Sequence, residues 1–82
     1  MSVTTVELSD LRRILTESAG VPQDVDIEGD IEETTFEEMG YDSIAVMELA
    51  ARITSEFGIP IDDDALAAAK NPRQFLDLVN GR

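Results

Sequence analysis

Apolar residues recur at helical spacing along this chain, and one segment shows the pattern more clearly than the rest. Its apolar positions fall at i, i+3, i+4, i+7 and i+11, which places them on one face of an α-helix. They are Val46, Leu49, Ala50, Ile53 and Phe57. Gly58 and Pro60 end the segment, because glycine favours a helix C-terminus and proline cannot continue a helix. The segment predicts an amphipathic helix that packs its apolar face against other helices.

A similar pattern near the start of the chain predicts a first helix. Its apolar positions are Leu8, Leu11, Leu15 and Ala19. Asp10 suits the first turn, where exposed N–H groups favour a negative charge, and Gly20 and Pro22 end the helix. Thr5 and Ser9 both qualify as its N-cap.

Two shorter helices are predicted toward the end of the chain. Three aspartates at 62–64 suit a helix start and precede an alanine-rich stretch at 65–69, which indicates a short third helix. Asn71, Pro72 and Gln74 form the start signal of a fourth helix, which the Asn-Gly pair at 80–81 ends. Its predicted buried stripe consists of Phe75, Leu78 and Val79.

A long connection, residues 20–40, separates the first two helices. Within it, Thr35 and Glu38 match a capping box, and Gly40 is placed to end a single helical turn. Four apolar residues are predicted to hold the connection on the core: Val25, Ile27, Ile31 and Phe36. No segment alternates as a strand does, so the predicted fold is all-α. We expect a small four-helix bundle with a long first loop and a short third helix, in a single domain over residues 1–82.

The composition excludes several classes of function. With 18 acidic and six basic residues the formal net charge is -12, so nucleic acids and anionic membranes would repel the chain. The sequence has no cysteine and no histidine, which excludes disulfides, zinc-finger ligands and Cys-His nucleophiles. Apolar runs such as residues 44–47 are too short to cross a bilayer, and residues 1–5 carry no signal sequence. We expect a soluble cytoplasmic protein.

One acidic stretch resembles the start of a calcium-binding EF-hand loop, with Asp24, Asp26 and Glu28 at alternate positions. The twelfth position, which needs a bidentate glutamate in that loop, is Thr35, and Pro22 interrupts the helix that would lead into it. An ordinary acidic loop explains the stretch better, and no metal site is predicted. An acidic protein-interaction or calcium-responsive module remains the alternative from a different class of function.

Asp42 and Ser43 stand where the glycine turn becomes the second helix. Either side chain qualifies as the N-cap. The unpaired N–H groups and the positive end of the helix dipole also favour a phosphate attached to the serine. With no histidine in the chain to activate it, Ser43 is not expected to be a catalytic nucleophile, but a separate enzyme can modify it.

The face of the second helix opposite its apolar stripe is typical of a docking surface. Ile44 and Ala51 lie there with Glu48 between them, and Met47 lies at the border. Apolar residues outside the core stripe indicate a contact with a partner, whereas scattered exposed apolar residues are also normal in proteins. These four residues are called the docking face below.

The stretch Gly40-Tyr41-Asp42-Ser43-Ile44 resembles the Gly-x-Asp-Ser-Leu signature of acyl carrier proteins. Nearly the whole chain shares the resemblance, through Asp10-Leu11-Arg12-Arg13, Gly29-Asp30, Phe36-Glu37-Glu38, Ala50-Ala51-Arg52, Asn71-Pro72-Arg73 and Leu76-Asp77-Leu78. The tyrosine before Asp-Ser, the paired arginines and Ala-Ala-Arg most resemble the carriers of bacterial type II aromatic polyketide synthases. Two features depart from the family pattern: Ile44 replaces the commoner leucine, and Pro60 comes earlier than usual before the third helix.

This resemblance implies a four-helix bundle of acyl-carrier type with 4'-phosphopantetheine, donated by coenzyme A, attached to Ser43 beside Asp42. It implies a monomeric, non-catalytic carrier that holds malonyl units and growing polyketides as thioesters. The implied partners are a phosphopantetheinyl transferase, a malonyl acyltransferase, the ketosynthase with its chain-length factor, ketoreductases and cyclases. They would recognise Ile44, Met47, Glu48 and Ala51. A fatty acid or peptidyl carrier is the nearest alternative.

Arg12 lies at the edge of the first helix's apolar face, four residues after Leu8 and three before Leu15. From there its guanidinium is placed to contact the carbonyls of a polyketide chain held among the helices. The simpler interpretation, which we favour, is an arginine whose stem lies on the core while its charged head stays in water.

Overall fold

The computed structural model describes residues 5–22 and 25–81, which contain four helices and no strand. Helix α1 spans Leu8–Ala19, α2 spans Ser43–Phe57, α3 spans Asp63–Ala68 and α4 spans Pro72–Val79. The predicted all-α fold, with its long first loop and short third helix, is confirmed.

Side-chain caps begin the two short helices where the sequence predicts them. Asn71 Oδ1 accepts a hydrogen bond from the Gln74 N–H at 2.8 Å, and Gln74 Oε1 accepts one from the Lys70 N–H at 2.7 Å. Asp62 Oδ2 accepts one from the Ala65 N–H at 3.1 Å. The bonds from the Gln74 and Ala65 N–H groups satisfy backbone donors that the helices themselves leave unpaired.

The start of α1 differs from the prediction. Its N-cap is Glu7, so the expectation of Thr5 or Ser9 is wrong. Asp10, in the first turn, accepts a hydrogen bond from the Glu7 N–H at 3.0 Å. The Asp10 N–H, which a serine or threonine cap would bind, donates to the Glu7 carbonyl at 3.0 Å, so the helix does not require a hydroxyl at its cap.

The core lies where α1 packs against α2 and α4. Its fully buried side chains include Leu11, Ile14 and Leu15 from α1, Leu49 and Ile53 from α2, and Phe75 from α4. Phe75 meets Phe36 of the long loop edge to face, with ring centroids 6.3 Å apart. Complete burial of such a side chain contributes about 1.5 to 3 kcal/mol, so these few contacts supply much of the stability of a small domain.

At a few positions in or beside the predicted apolar stripes, the observed burial differs from the prediction. Ala19 is exposed, because it is the last residue of α1 and lies beside a surface cleft. Ala45 is buried in α2, whereas Val46 and Phe57 are half-buried. Leu78 of α4 is half-buried too. The residues at the outer edges of each stripe lie at the rim of the core. Helical spacing alone does not distinguish them from the residues at its centre.

The long loop is held on the core by its apolar residues, as predicted. Ile27, Ile31 and Phe36 are buried, and Val25 packs against the buried cluster. Backbone bonds tie the loop to the turn before α4: the Phe36 N–H donates to the Lys70 carbonyl at 3.0 Å. The loop is therefore a fixed part of the bundle over its described residues.

The predicted capping box at Thr35 and Glu38 is confirmed. The Glu38 N–H donates to Thr35 Oγ1 at 3.0 Å, and the Thr35 N–H donates to Glu38 Oε1 at 3.1 Å. The bond from the Thr35 N–H and a second bond to the same oxygen from the Thr35 hydroxyl, at 2.9 Å, lower the pKa of the Glu38 carboxyl group. A single helical turn follows and ends at Gly40, whose φ of 90° favours glycine.

Asn80 joins the two ends of the described chain. Its Oδ1 accepts from the Val6 N–H and its Nδ2 donates to the Val6 carbonyl, both at 2.9 Å. The sequence predicts Asn80 only as a helix terminator. Its side chain also holds the segment before α1 against the end of α4.

Four charged side chains link α1 to α2 on the surface. Arg13 Nη2 lies 2.8 Å from Glu56 Oε2, and Arg52 Nη2 lies 2.8 Å from Glu17 Oε1 and 3.0 Å from Glu56 Oε1. Hydrogen bonds from Arg13 and Arg52 lower the pKa of Glu56 from its ordinary value of 4.5 to about 2. Single exposed ion pairs add little stability, but a network of four adds more.

The low pKa of Glu56 predicts a pH-dependent contribution to stability. A carboxyl group with a depressed pKa in the folded state stabilises the fold above its unfolded pKa, and the contribution disappears as pH falls through the folded value. We expect the difference in free energy of unfolding between the wild type and Glu56→Gln to be constant above about pH 4.5. It should shrink toward zero near pH 2. Urea unfolding at a series of pH values measures it.

Glu37→Gln, at an exposed acid of the long loop, is the matched control. A wild-type to Glu56→Gln difference that does not change between pH 5 and pH 2 would contradict the network's role.

Candidate functional site

The turn before α2 fixes where its first residues point. The Gly40 N–H donates to the Glu37 carbonyl at 3.0 Å, and the Tyr41 N–H donates to the Phe36 carbonyl at 2.9 Å. These bonds close the turn directly before Asp42. Asp42 and Ser43 therefore lead into α2 from a fixed direction.

Asp42 is the N-cap of α2. Its Oδ1 accepts a hydrogen bond from the Ala45 N–H at 2.9 Å, and its carbonyl accepts one from the Val46 N–H at 3.2 Å. The sequence left Asp42 and Ser43 as equal candidates for this position, and the structure assigns it to Asp42. Ser43 is the first residue of the helix and is exposed, so the cap does not require its hydroxyl.

Tyr41 joins the end of α1 to the start of α2. Its side chain is buried, and its hydroxyl donates to the Gly20 carbonyl at 2.9 Å. Burial raises the pKa of the phenol, which therefore remains a hydrogen-bond donor at neutral pH. Sequence reasoning used Tyr41 only as a family feature and missed this contact. The available signal was a tyrosine in an otherwise polar turn, since a buried tyrosine hydroxyl needs a partner.

A surface cleft of about 320 Å³ opens between the end of α1 and the start of α2. The end of α1 and the start of the long loop form one wall, with Ala19 and Pro22. The start of α2 forms the other wall, with Asp42, Ile44 and Glu48. Both sequence neighbours of Ser43 therefore line the cleft.

The docking face is exposed along the first half of α2. Ile44 is 63% exposed and Met47 is 59% exposed, more than any other large apolar side chain of the described residues. Glu48 and Ala51 are exposed as well. All four residues thus lie at the surface, and Ser43 lies at the N-terminal end of the same face.

Arg12 does not leave its charged head in water, contrary to the favoured interpretation of the sequence. Its Nε donates to the Ile27 carbonyl and its Nη2 donates to the Gly29 carbonyl, both at 2.8 Å. The guanidinium therefore fastens the long loop to α1. The alternative role, a contact with a bound acyl chain, stays a prediction.

No group of three or more acidic side chains in residues 5–22 and 25–81 is placed to hold a metal ion. Asp24, the first residue of the EF-hand-like stretch, lies outside the described residues. Every helix in the same ranges is too short or too polar to span a membrane.

The Arg12 contacts predict a specific effect of substitution. Arg12→Gln removes two charge-assisted bonds to the loop, and we expect the free energy of unfolding to fall by about 1 to 3 kcal/mol. Amide hydrogen exchange should accelerate first at residues 27–31, because the loop loses its link to α1. Lys70→Gln, at an exposed lysine before α4, should change neither. Unchanged exchange at residues 27–31 in Arg12→Gln would show that the loop does not depend on the guanidinium.

Comparison with known proteins gives matches over nearly the whole chain. A family profile described as "Phosphopantetheine attachment site" matches residues 9–79. The actinorhodin polyketide synthase acyl carrier protein of Streptomyces coelicolor is 46% identical over 78 residues, which cover 95% of this chain and 91% of that protein. The granaticin polyketide synthase acyl carrier protein of Streptomyces violaceoruber is 50% identical over 74 residues, covering 90% and 87%.

A solved structure shares the fold. The solution structure of octanoyl acyl carrier protein from the actinorhodin polyketide synthase of Streptomyces coelicolor superposes with a TM-score of 0.90 at 46% identity. The superposition covers 98% of this chain and 93% of the other. The arrangement of the four helices is thus the same in both proteins.

Proposed function

The chain belongs to the phosphopantetheine attachment-site family, and we propose that it acts as an acyl carrier protein of a type II polyketide synthase with Ser43 as its attachment residue. The observation that carries the assignment of Ser43 is its position. It is the exposed first residue of α2, and Asp42 already supplies the cap. The hydroxyl is therefore accessible to a modifying enzyme.

The surroundings of Ser43 fit a phosphodiester. The first turn of α2 presents backbone N–H groups and the positive end of the helix dipole, both of which favour a negatively charged phosphate. The exposed side chain leaves room for a long substituent. When bound, 4'-phosphopantetheine supplies the thiol that a chain without cysteine lacks.

The attachment step is a phosphoryl transfer. Ser43 Oγ attacks the β-phosphorus of coenzyme A, forming a phosphodiester as the pyrophosphate bond breaks. Adenosine 3',5'-bisphosphate leaves, and a base in the complex with the transferase takes up the serine proton. The carrier is thus a substrate in this step, and we propose that it catalyses none of the later steps.

The two relatives named above, both polyketide synthase carriers, support the proposed cargo and partners. We assign to this chain the transport of malonyl units and growing polyketides as thioesters. Its partners are a phosphopantetheinyl transferase, a malonyl acyltransferase, the ketosynthase with its chain-length factor, and ketoreductases and cyclases. We place this work in the cytoplasm, where coenzyme A is available, and assign it to a single-domain monomer.

The docking face suits partners with a basic surface around an apolar patch. Its exposed Ile44 and Met47 offer apolar contact, while Glu48 and the net charge of -12 attract Lys and Arg. Charge complementarity of this kind raises the association rate at low salt. Because Ser43 lies at one end of the face, a partner that docks there has the attachment site within its contact area.

Attachment at Ser43 is tested by intact mass. After incubation with coenzyme A and a broad-specificity phosphopantetheinyl transferase, we expect the wild type to gain one phosphopantetheine group. Ser43→Ala should gain none, because the attacking hydroxyl is missing. Ser55→Ala removes another exposed serine of α2 and should be modified like the wild type.

Circular dichroism of each variant ensures that every protein compared is folded. A folded wild type that gains nothing with several transferases, or a Ser43→Ala variant that is modified, would overturn the assignment.

The docking face is tested by reversing a charge. Glu48→Lys should lower the second-order rate of phosphopantetheinyl transfer about tenfold at low salt, within the range that electrostatic steering provides. The difference should shrink as added salt screens the charges. Asp77→Lys makes the same charge change on α4 and is the matched control. Equal rate losses in the two variants would show that overall charge matters and that the docking face does not.

A further inference from the structure

The sulfur atoms of this chain lie in contrasting surroundings. Because the sequence has no cysteine, sulfur is present only in its three methionines, and the structure describes two of them, Met39 and Met47. Met39 is 3% exposed and belongs to the core, whereas Met47 is 59% exposed on α2. A small molecule in the solvent therefore has access to the thioether of Met47 but not to that of Met39.

Met47 lies close to the proposed attachment residue. It comes four residues after Ser43 and three after Ile44, so the three side chains lie on neighbouring turns of one side of α2. Side chains at these spacings have Cβ atoms about 5 to 6 Å apart. A chemical change at the Met47 sulfur therefore alters the surface directly beside Ser43.

The chemistry open to an exposed thioether is oxidation to the sulfoxide. With hydrogen peroxide, a sulfur lone pair forms a bond to one peroxide oxygen as the O–O bond breaks. The sulfur loses two electrons, and the leaving hydroxide takes the proton of the transferred oxygen to give water. Hydrogen peroxide is uncharged, so the net charge of -12 does not repel it as it repels anions.

We propose that Met47 is a site of reversible oxidation, at which hydrogen peroxide weakens the binding of partners to the docking face. This inference rests on the proposed function, because it needs partner enzymes that contact α2. It adds a modification site and a means of regulation at the same surface. Reductases that act on methionine sulfoxide would restore the original thioether.

The effect on docking follows from the polarity of the product. A sulfoxide oxygen accepts hydrogen bonds from water, and it loses them when an apolar patch of a partner covers it. Because an unpaired polar group in a contact is costly, we expect the rate constant of partner reactions to fall about tenfold. The core stays intact, since most of the Met47 side chain is already in contact with water.

Peptide mapping tests the selectivity of the oxidation. The protein without its arm is treated with hydrogen peroxide, the excess is removed with catalase, and the sulfoxides are located by mass spectrometry. We expect Met47 to be oxidised while Met39 is still a thioether. Met39 oxidised as fast as Met47 would overturn the proposal. Met1 lies outside the described residues and is present in every variant compared.

A matched pair of variants tests the effect on docking. The second-order rate of phosphopantetheinyl transfer is measured for each protein before and after peroxide, so each serves as its own reference. The rate should fall about tenfold in the wild type and in Met39→Leu, because both retain the exposed sulfur that forms the unpaired sulfoxide. It should not change in Met47→Leu. Methionine sulfoxide reductases should restore the rate of the oxidised wild type.

The possible failures are distinguishable. An untreated wild type that accepts no phosphopantetheine contradicts the proposed function and the effect on docking with it, while the peptide map still decides whether Met47 is oxidised selectively. An unchanged rate after complete oxidation of Met47, or an equal fall in Met47→Leu, would overturn the proposal. So would a loss of helical circular dichroism on oxidation, because unfolding would then explain the lower rate. If Met39→Leu does not fold, the wild type and Met47→Leu decide the question.

Discussion

The hydrogen bond from the buried Tyr41 hydroxyl to the Gly20 carbonyl closes the long connection between α1 and α2. It joins residues 21 positions apart in sequence, one at each end of the connection. By holding these two ends together, the bond determines where α2 starts and therefore where Ser43 lies. The accessible serine, the exposed docking face and the cleft all depend on this closure.

The rest of the connection is held by contacts of a different kind. Ile27, Ile31 and Phe36 bury apolar surface, which is non-directional, and Arg12 adds two directed bonds to the Ile27 and Gly29 carbonyls. Together they give an irregular segment a fixed path over the described residues. A carrier benefits from this arrangement, because partners then meet one surface around the attachment site.

Features set by neighbouring residues could be predicted from the sequence. The Asn71 cap and the Thr35-Glu38 capping box each depend on residues within four positions, and both are confirmed. The aspartates at 62–64 predicted only a helix start, and the structure assigns its cap to Asp62. The exposure of Ile44 and Met47 followed from the period of α2. Where two residues suit a local pattern equally, spacing cannot choose between them, as with Asp42 and Ser43 at the cap.

Contacts between distant segments could not be predicted in this way. The partner of Tyr41, the loop carbonyls that Arg12 binds and the pairing of Arg13 with Glu56 all depend on the path of the chain in three dimensions. The same holds for the cleft, whose walls come from α1, the loop and α2. Helical periodicity identifies which faces are buried but not which irregular segment covers them.

Loading of an acyl group tests the central claim, that the chain carries thioesters on an arm at Ser43. The measurement is the intact mass of the phosphopantetheine-loaded protein after incubation with malonyl-coenzyme A and a malonyl acyltransferase of a type II polyketide synthase. The account predicts a gain of one malonyl group that neutral hydroxylamine removes and that prior alkylation of the thiol prevents. A loaded protein that accepts no malonyl group, or that accepts one without the arm, would contradict it.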